Sequence, residues 1–143
     1  MHPRQIDQIR DSFVHVLFDP ERAARLFYGR LFELAPDTRS LFGRDMDEQG
    51  RILIRSLATI VTGLARFEAM IPTLRDLAVR HVGYGVEQRH YVTVGIAIVD
   101  MLTIVCEDEF DASSRAAWLE AYKLIADTMI AAAYPQPGNP AVR

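Results

Sequence analysis

The stretch IPTLRDLAVRHVGYGVEQRHYVTVG, Ile71 to Gly95, decides how this chain folds. Pro72 sits near a helix start, and Leu74, Leu77 and Ala78 then recur at helical spacing. Gly83 or Gly85 can supply the left-handed residue that ends this helix. Tyr91 and Val94 open a second periodic face that continues through Ile98, Met101, Leu102 and Val105. The stretch therefore reads as helix, glycine break, helix. It carries two of the chain's four histidines, one on each side of the break, and His81 falls in the last turn of the first helix.

Outward from this stretch the same periodicity holds. Upstream, Leu53, Leu57, Ile60, Val61 and Leu64 mark a long helix, entered from a polar segment, GRDMDEQ, that reads as a loop. Asp37 to Phe42 reads as a short helical turn. Asp19 and Pro20 form an N-cap and first position for a helix through Leu26, Phe27, Leu31 and Phe32. Pro36 closes it, because the residue before a proline is pushed out of helical geometry. Ile6, Ile9, Phe13 and Val16 mark an N-terminal helix. Downstream, Asp111 caps a last helix through Trp118, Tyr122, Ile125 and Met129. No alternation is long enough for a sheet. The expectation is one all-α domain of six to eight helices over residues 1–134, more than a four-helix bundle needs, with a disordered tail, PQPGNPAVR, over 135–143.

Composition limits the function. A chain of 143 residues fits one domain and buries roughly 70% of its unfolded surface. The net charge is −3 and the basic residues are scattered, so the electrostatic footprint of a nucleic-acid binder is missing. Cys106, the single cysteine, excludes an internal disulfide and reads as a small buried hydrophobe in MLTIVC. The N-terminus lacks a signal-like apolar core, and no segment approaches 18 uninterrupted apolar residues. A cytoplasmic protein, away from membranes, is expected.

Three polar residues stand out. A histidine beside a helix-breaking turn presents an imidazole edge suited to axial metal ligation, and equally suits a structural role at the negative end of a helix dipole. Tyr28, in LFYGRLF, is either a core tyrosine or a hydrogen-bond donor facing a cavity. Gln49 is either a solvated helix start or a second polar group in that cavity. If His81, Tyr28 and Gln49 converge on an apolar core, they make a small-molecule pocket. His90 reads as a surface histidine. A plain metal site built on His81 and His90 lacks cysteine or carboxylate companions and the i, i+4 spacing of zinc sites.

The segments FYGRLFELAPDTRSLF (Phe27 to Phe42), QGRILIRSLATIV (Gln49 to Val61), IPTLRDLAVRHVGYGVEQRHYVTVG (Ile71 to Gly95) and AWLEAYKLIADTMI (Ala117 to Ile130) occur in an order and spacing that resembles the bacterial globins. The likeness is to the single-domain haemoglobins and the haem domain of flavohaemoglobins, from about Ile6 to Tyr134. It implies a globin fold around haem b, with His81 as the proximal iron ligand and its other ring nitrogen donating to the Leu77 carbonyl. Phe42 would stack on the haem, Tyr28 and Gln49 would form the polar distal pair, and Leu53 would cover the iron. Tyr91 and Val94 would line the proximal side, with His90 near the haem edge. No histidine matches the distal position, so a bis-histidine state is not expected. The implied activity is reversible O2 binding, with CO and NO as further ligands, and oxidation of nitric oxide to nitrate.

Two departures qualify that activity. Flavohaemoglobins place a glutamate near the proximal histidine where this chain has Ala133, which implies a weaker electron push and weaker peroxide chemistry. The chain also has no flavin or nicotinamide segment and no glycine-rich phosphate loop, so turnover implies a separate flavin reductase as partner. The resemblance leaves a second function open, a globin-fold gas sensor or interaction module acting through a partner protein. A monomer or a homodimer fits either.

Overall fold

Three of the helices begin at capping side chains. The structure, a computed structural model, describes residues 1–43 and 45–134. The first helix, α1 (Pro3–Phe18), begins at His2, whose ring accepts the Arg4 amide while the Gln5 side chain returns to the His2 amide. Asp19 caps α2 (Pro20–Leu34) by accepting the Arg22 amide at 3.2 Å. Asp111 does the same for α6 (Ala112–Ala133), accepting from Ser114 at 2.8 Å. Between them lie α3 (Met46–Gly63), α4 (Phe67–Gly83) and α5 (His90–Cys106). Short 3-10 helices span Pro36–Leu41, Leu64–Arg66 and Glu107–Glu109. No strand occurs among the described residues, and the all-α expectation of six to eight helices holds.

Two boundaries differ from the sequence reading, and a third choice is narrowed. The polar segment expected as a loop is half helix, because α3 starts at Met46. Asp47 and Glu48 occupy its first turn, where carboxylates complement the helix dipole. Pro72 lies inside α4, five residues past its start, so this helix tolerates one missing backbone donor near its beginning. Of the two candidate glycines only Gly85 is left-handed, with φ 93°. The tail expected over 135–143 lies outside the described residues.

The helices pack as layers around one core. The second helix, α2, lies against α5 and α3, α4 lies against α6, and α1 closes the far side against α5 and α6. Ile9, Leu31, Leu74, Met101 and Leu102 are fully buried. The Trp118 indole donates to Ser12 Oγ at 2.7 Å, so this buried donor is satisfied. Cys106 is buried as expected, and burial, with Glu109 adding to it, pushes its thiol pKa up to about 11. Along α5 the mean hydropathy reaches 1.5 over an 18-residue window, and half of that window is buried inside the fold, as in a core helix.

Gly95 fixes the contact between α5 and α6. A Cβ there would lie 2.6 Å from the Tyr122 ring, and that ring cannot swing away freely because its hydroxyl donates to the Tyr91 carbonyl at 2.5 Å. Gly95→Ala is therefore expected to destabilise the fold by about 1–3 kcal/mol, the usual cost of overpacking. Urea unfolding of the variant measures this, and an unchanged midpoint would show that Tyr122 is not held in place.

Candidate functional site

His81 is placed by the end of α4. The chain reverses there through a cluster of backbone bonds: the Tyr84 amide donates to Arg80 and His81 at 3.1 Å each, and Val86 returns to the His81 carbonyl at 3.0 Å. Gly85 adopts the left-handed conformation that this closure demands. The His81 Nδ1 lies 2.8 Å from the Leu77 carbonyl oxygen. A carbonyl only accepts, so Nδ1 carries the proton and Nε2 keeps its lone pair. Burial holds the His81 pKa below its ordinary 6.5, with the Arg80 charge assisting and the Leu77 bond opposing. A neutral imidazole with an available Nε2 is the form that binds metals.

Tyr28 is brought from α2 into an aromatic group. Its ring is 6% exposed, stacks on Phe32 at 5.9 Å, and meets Phe42 edge-on at 5.2 Å. Gln49 stands in the first turn of α3 near the Tyr28 hydroxyl; burial raises the Tyr28 pKa and the Gln49 side chain partly offsets this. The hydroxyl thus stays protonated and able to donate. Leu53 lies one turn after Gln49, on the same face of α3. A cleft of about 430 Å³ between α2 and α3 is lined by Tyr28, Phe32, Met46 and Ile54. A second cleft of equal size, between α2 and α5, holds the Arg30–Asp100 ion pair. Neither is lined by His81. The structure brings Tyr28, Gln49 and Phe42 together, and sets His81 and Leu77 on a separate helix.

Tyr91 and Val94 come from the start of α5. Tyr91 is buried, and its hydroxyl has no hydrogen-bond partner among the described residues. Burial pushes its pKa up to about 12. Two other tyrosines hold the segment before it: Tyr122 bonds the Tyr91 carbonyl and Tyr134 bonds the Val86 carbonyl, each at 2.5 Å. Ala133, beside Tyr134 at the end of α6, offers no polar group to Tyr91.

His90 is not the surface histidine the sequence reading expected; it is 4% exposed. Both ring nitrogens are occupied. The Glu87 amide donates to Nδ1 at 2.9 Å, and Nε2 faces Asp37 Oδ2 at 3.3 Å. Asp37, Arg89 and Tyr134 are contributors the sequence reading passed over, and no local pattern marks them. Among the described residues no group of three histidine, cysteine, aspartate or glutamate side chains gathers as for a metal.

A helical domain thus presents a tautomer-fixed histidine at one helix end and, on two other helices, a buried tyrosine beside a half-buried glutamine. The chain belongs to the globin family, whose model matches residues 25–129. Among curated relatives it is similar to the flavohemoprotein of Chromobacterium violaceum, 31% identical over 108 residues, covering 73% of this chain and 26% of that protein. The flavohemoproteins of Halalkalibacterium halodurans and Rhizobium meliloti are 28% and 26% identical, covering 89% and 72% of this chain. The chain spans 26% to 32% of the length of these relatives.

Haem is the group this family implies, and the residues present fit it. His81 offers an imidazole nitrogen acceptor. Phe42, Leu53, Leu77 and Val94, from three helices and the corner after the 3-10 helix, are apolar yet only partly buried where they pack on the core, as residues that contact a large flat apolar group should be.

Proposed function

We propose that the protein is a cytoplasmic haem b globin that binds O2, CO and NO reversibly, and that oxidises nitric oxide to nitrate when a separate flavin reductase supplies electrons. The observation that carries this reading is the His81 imidazole, held through Nδ1 by Leu77 with Nε2 left as the acceptor. Haem held there supplies the iron to which the gas binds. The chain's own residues do the rest. His81 is the iron ligand, and Leu77 fixes its tautomer and ring plane. Phe42, Leu53, Leu77 and Val94 provide the apolar contact that excludes water, and Tyr91 packs on the proximal side. Tyr28 would offer its hydroxyl as a hydrogen-bond donor toward a bound gas, with Gln49 as the polar neighbour on that side.

With alanine at 133, no carboxylate pairs with His81 among the described residues. The imidazole is polarised by the Leu77 carbonyl alone, which supports gas binding over efficient cleavage of an oxygen–oxygen bond. The test is an absorption spectrum of protein expressed with ample haem, recorded ferric, dithionite-reduced, and reduced under carbon monoxide. A five-coordinate reduced spectrum that sharpens to a histidine-type CO complex is expected. A colourless protein overturns the proposal.

A further inference from the structure

The 3-10 helix Pro36–Leu41 and the turn joining α4 to α5 are far apart in sequence, yet two independent contacts tie them together. Arg89 Nη2 lies 2.7 Å from Asp37 Oδ2 and 2.6 Å from Glu87 Oε2, so one guanidinium bridges two carboxylates from the two segments. His90 completes the bridge. Its Nδ1 accepts the Glu87 amide, which places the proton on Nε2, and Nε2 donates to the same Asp37 oxygen at 3.3 Å. The second contact is apolar: Leu41 packs so close to the turn that a Cβ on Gly85 would lie 3.2 Å from its Cδ2.

The placement of this bridge gives it a role. Phe42 directly follows the 3-10 helix, and His81 lies in the last turn of α4, two residues before that helix ends. On its other side the turn is held by Tyr134 and Tyr122, which bond the carbonyls of Val86 and Tyr91. Asp37 is thus the polar anchor that joins the corner carrying Phe42 to the turn that follows His81. We infer that Asp37, Arg89 and His90 are positioning residues, a latch across the edge of the cofactor site that holds Phe42 and His81 in fixed relation and so slows escape of haem. The inference rests on the haem-binding reading above.

The latch is built to act on the site more than on the fold. The Arg89–Asp37 pair is more than half exposed on the arginine side and contributes little to global stability. The His90 side chain is only 5% exposed, so its bond to the carboxylate is the shielded half of the bridge. Removing Asp37 leaves Arg89 with Glu87 and leaves the Leu41 packing as the contact between the corner and the turn.

The experiment compares full-length wild type with Asp37→Ala, Asp37→Glu and His90→Gln, the last keeping one acceptor and one donor in place of the ring. Haemin transfer to excess haem-free myoglobin gives the release rate, and hydrogen exchange at the Glu87 amide in the haem-free protein reads the latch itself. Asp37→Ala is expected to release haemin about three- to tenfold faster and to expose the Glu87 amide, with only a small drop in the unfolding midpoint of the haem-free protein. Asp37→Glu and His90→Gln should fall between Asp37→Ala and wild type. Unchanged haemin release in Asp37→Ala overturns the inference, whether or not the Glu87 amide opens. An unchanged Glu87 amide overturns it as well, because then no latch has been broken. Failure of the wild type to take up haemin is a different result: it removes the haem reading, and this inference with it, before any variant is compared.

Discussion

His81→Gly is expected to abolish the histidine-type CO spectrum and to weaken haem retention by more than about a hundredfold, since losing even an outer partner of a metal ligand typically costs 10–100-fold. Glycine removes the only imidazole that α4 presents at its end, and nothing else in the last turn ligates iron, because Arg80 and Val82 offer no suitable donor. The variant should still fold. His81 is only partly buried, the backbone bonds that close α4 run through carbonyls and amides, and a glycine near a helix end costs about 1 kcal/mol at most. Free imidazole added in millimolar amounts should restore a large part of the wild-type spectrum by entering the space of the lost ring. An unaltered spectrum in His81→Gly would mean that iron is ligated elsewhere, and the proximal assignments of His81 and Leu77 would both fall.

The features legible in the sequence were those encoded locally. Asp19 and Asp111 each cap the helix that follows, and a side chain that bonds an amide three residues away needs no tertiary context. The glycine break after His81 was legible for the same reason, although choosing Gly85 over Gly83 required the backbone angles. The start of α3 was not legible, because Met46 to Gln49 carry no apolar periodicity. His90 shows the limit most clearly. A histidine between an arginine and a tyrosine reads as exposed, and its burial depends on a carboxylate 53 positions away. The unpartnered hydroxyl of Tyr91 belongs to the same class, because whether a buried donor is satisfied depends on distant segments.

Tyr28→Phe is expected to speed O2 dissociation by roughly ten- to 150-fold. A hydrogen bond to a charged or strongly polarised group is worth about 1.5–3 kcal/mol, and each 1.36 kcal/mol is a factor of ten in rate. The substitution removes one oxygen from a ring already packed against Phe27, Phe32 and Phe42, so the aromatic group keeps its shape and the fold should be unaffected. Burial raises the Tyr28 pKa above its ordinary 10.0. The hydroxyl therefore remains a donor throughout the neutral range, and the wild-type dissociation rate should be flat with pH between about 6 and 9. Carbon monoxide, which is less polarised, should respond less than O2, and that difference separates a hydrogen-bonding role from a steric one. Stopped-flow dissociation of both gases decides the matter. If O2 leaves Tyr28→Phe no faster than wild type, the hydroxyl serves only to hold Gln49, and Gln49 becomes the residue whose amide would have to make the contact.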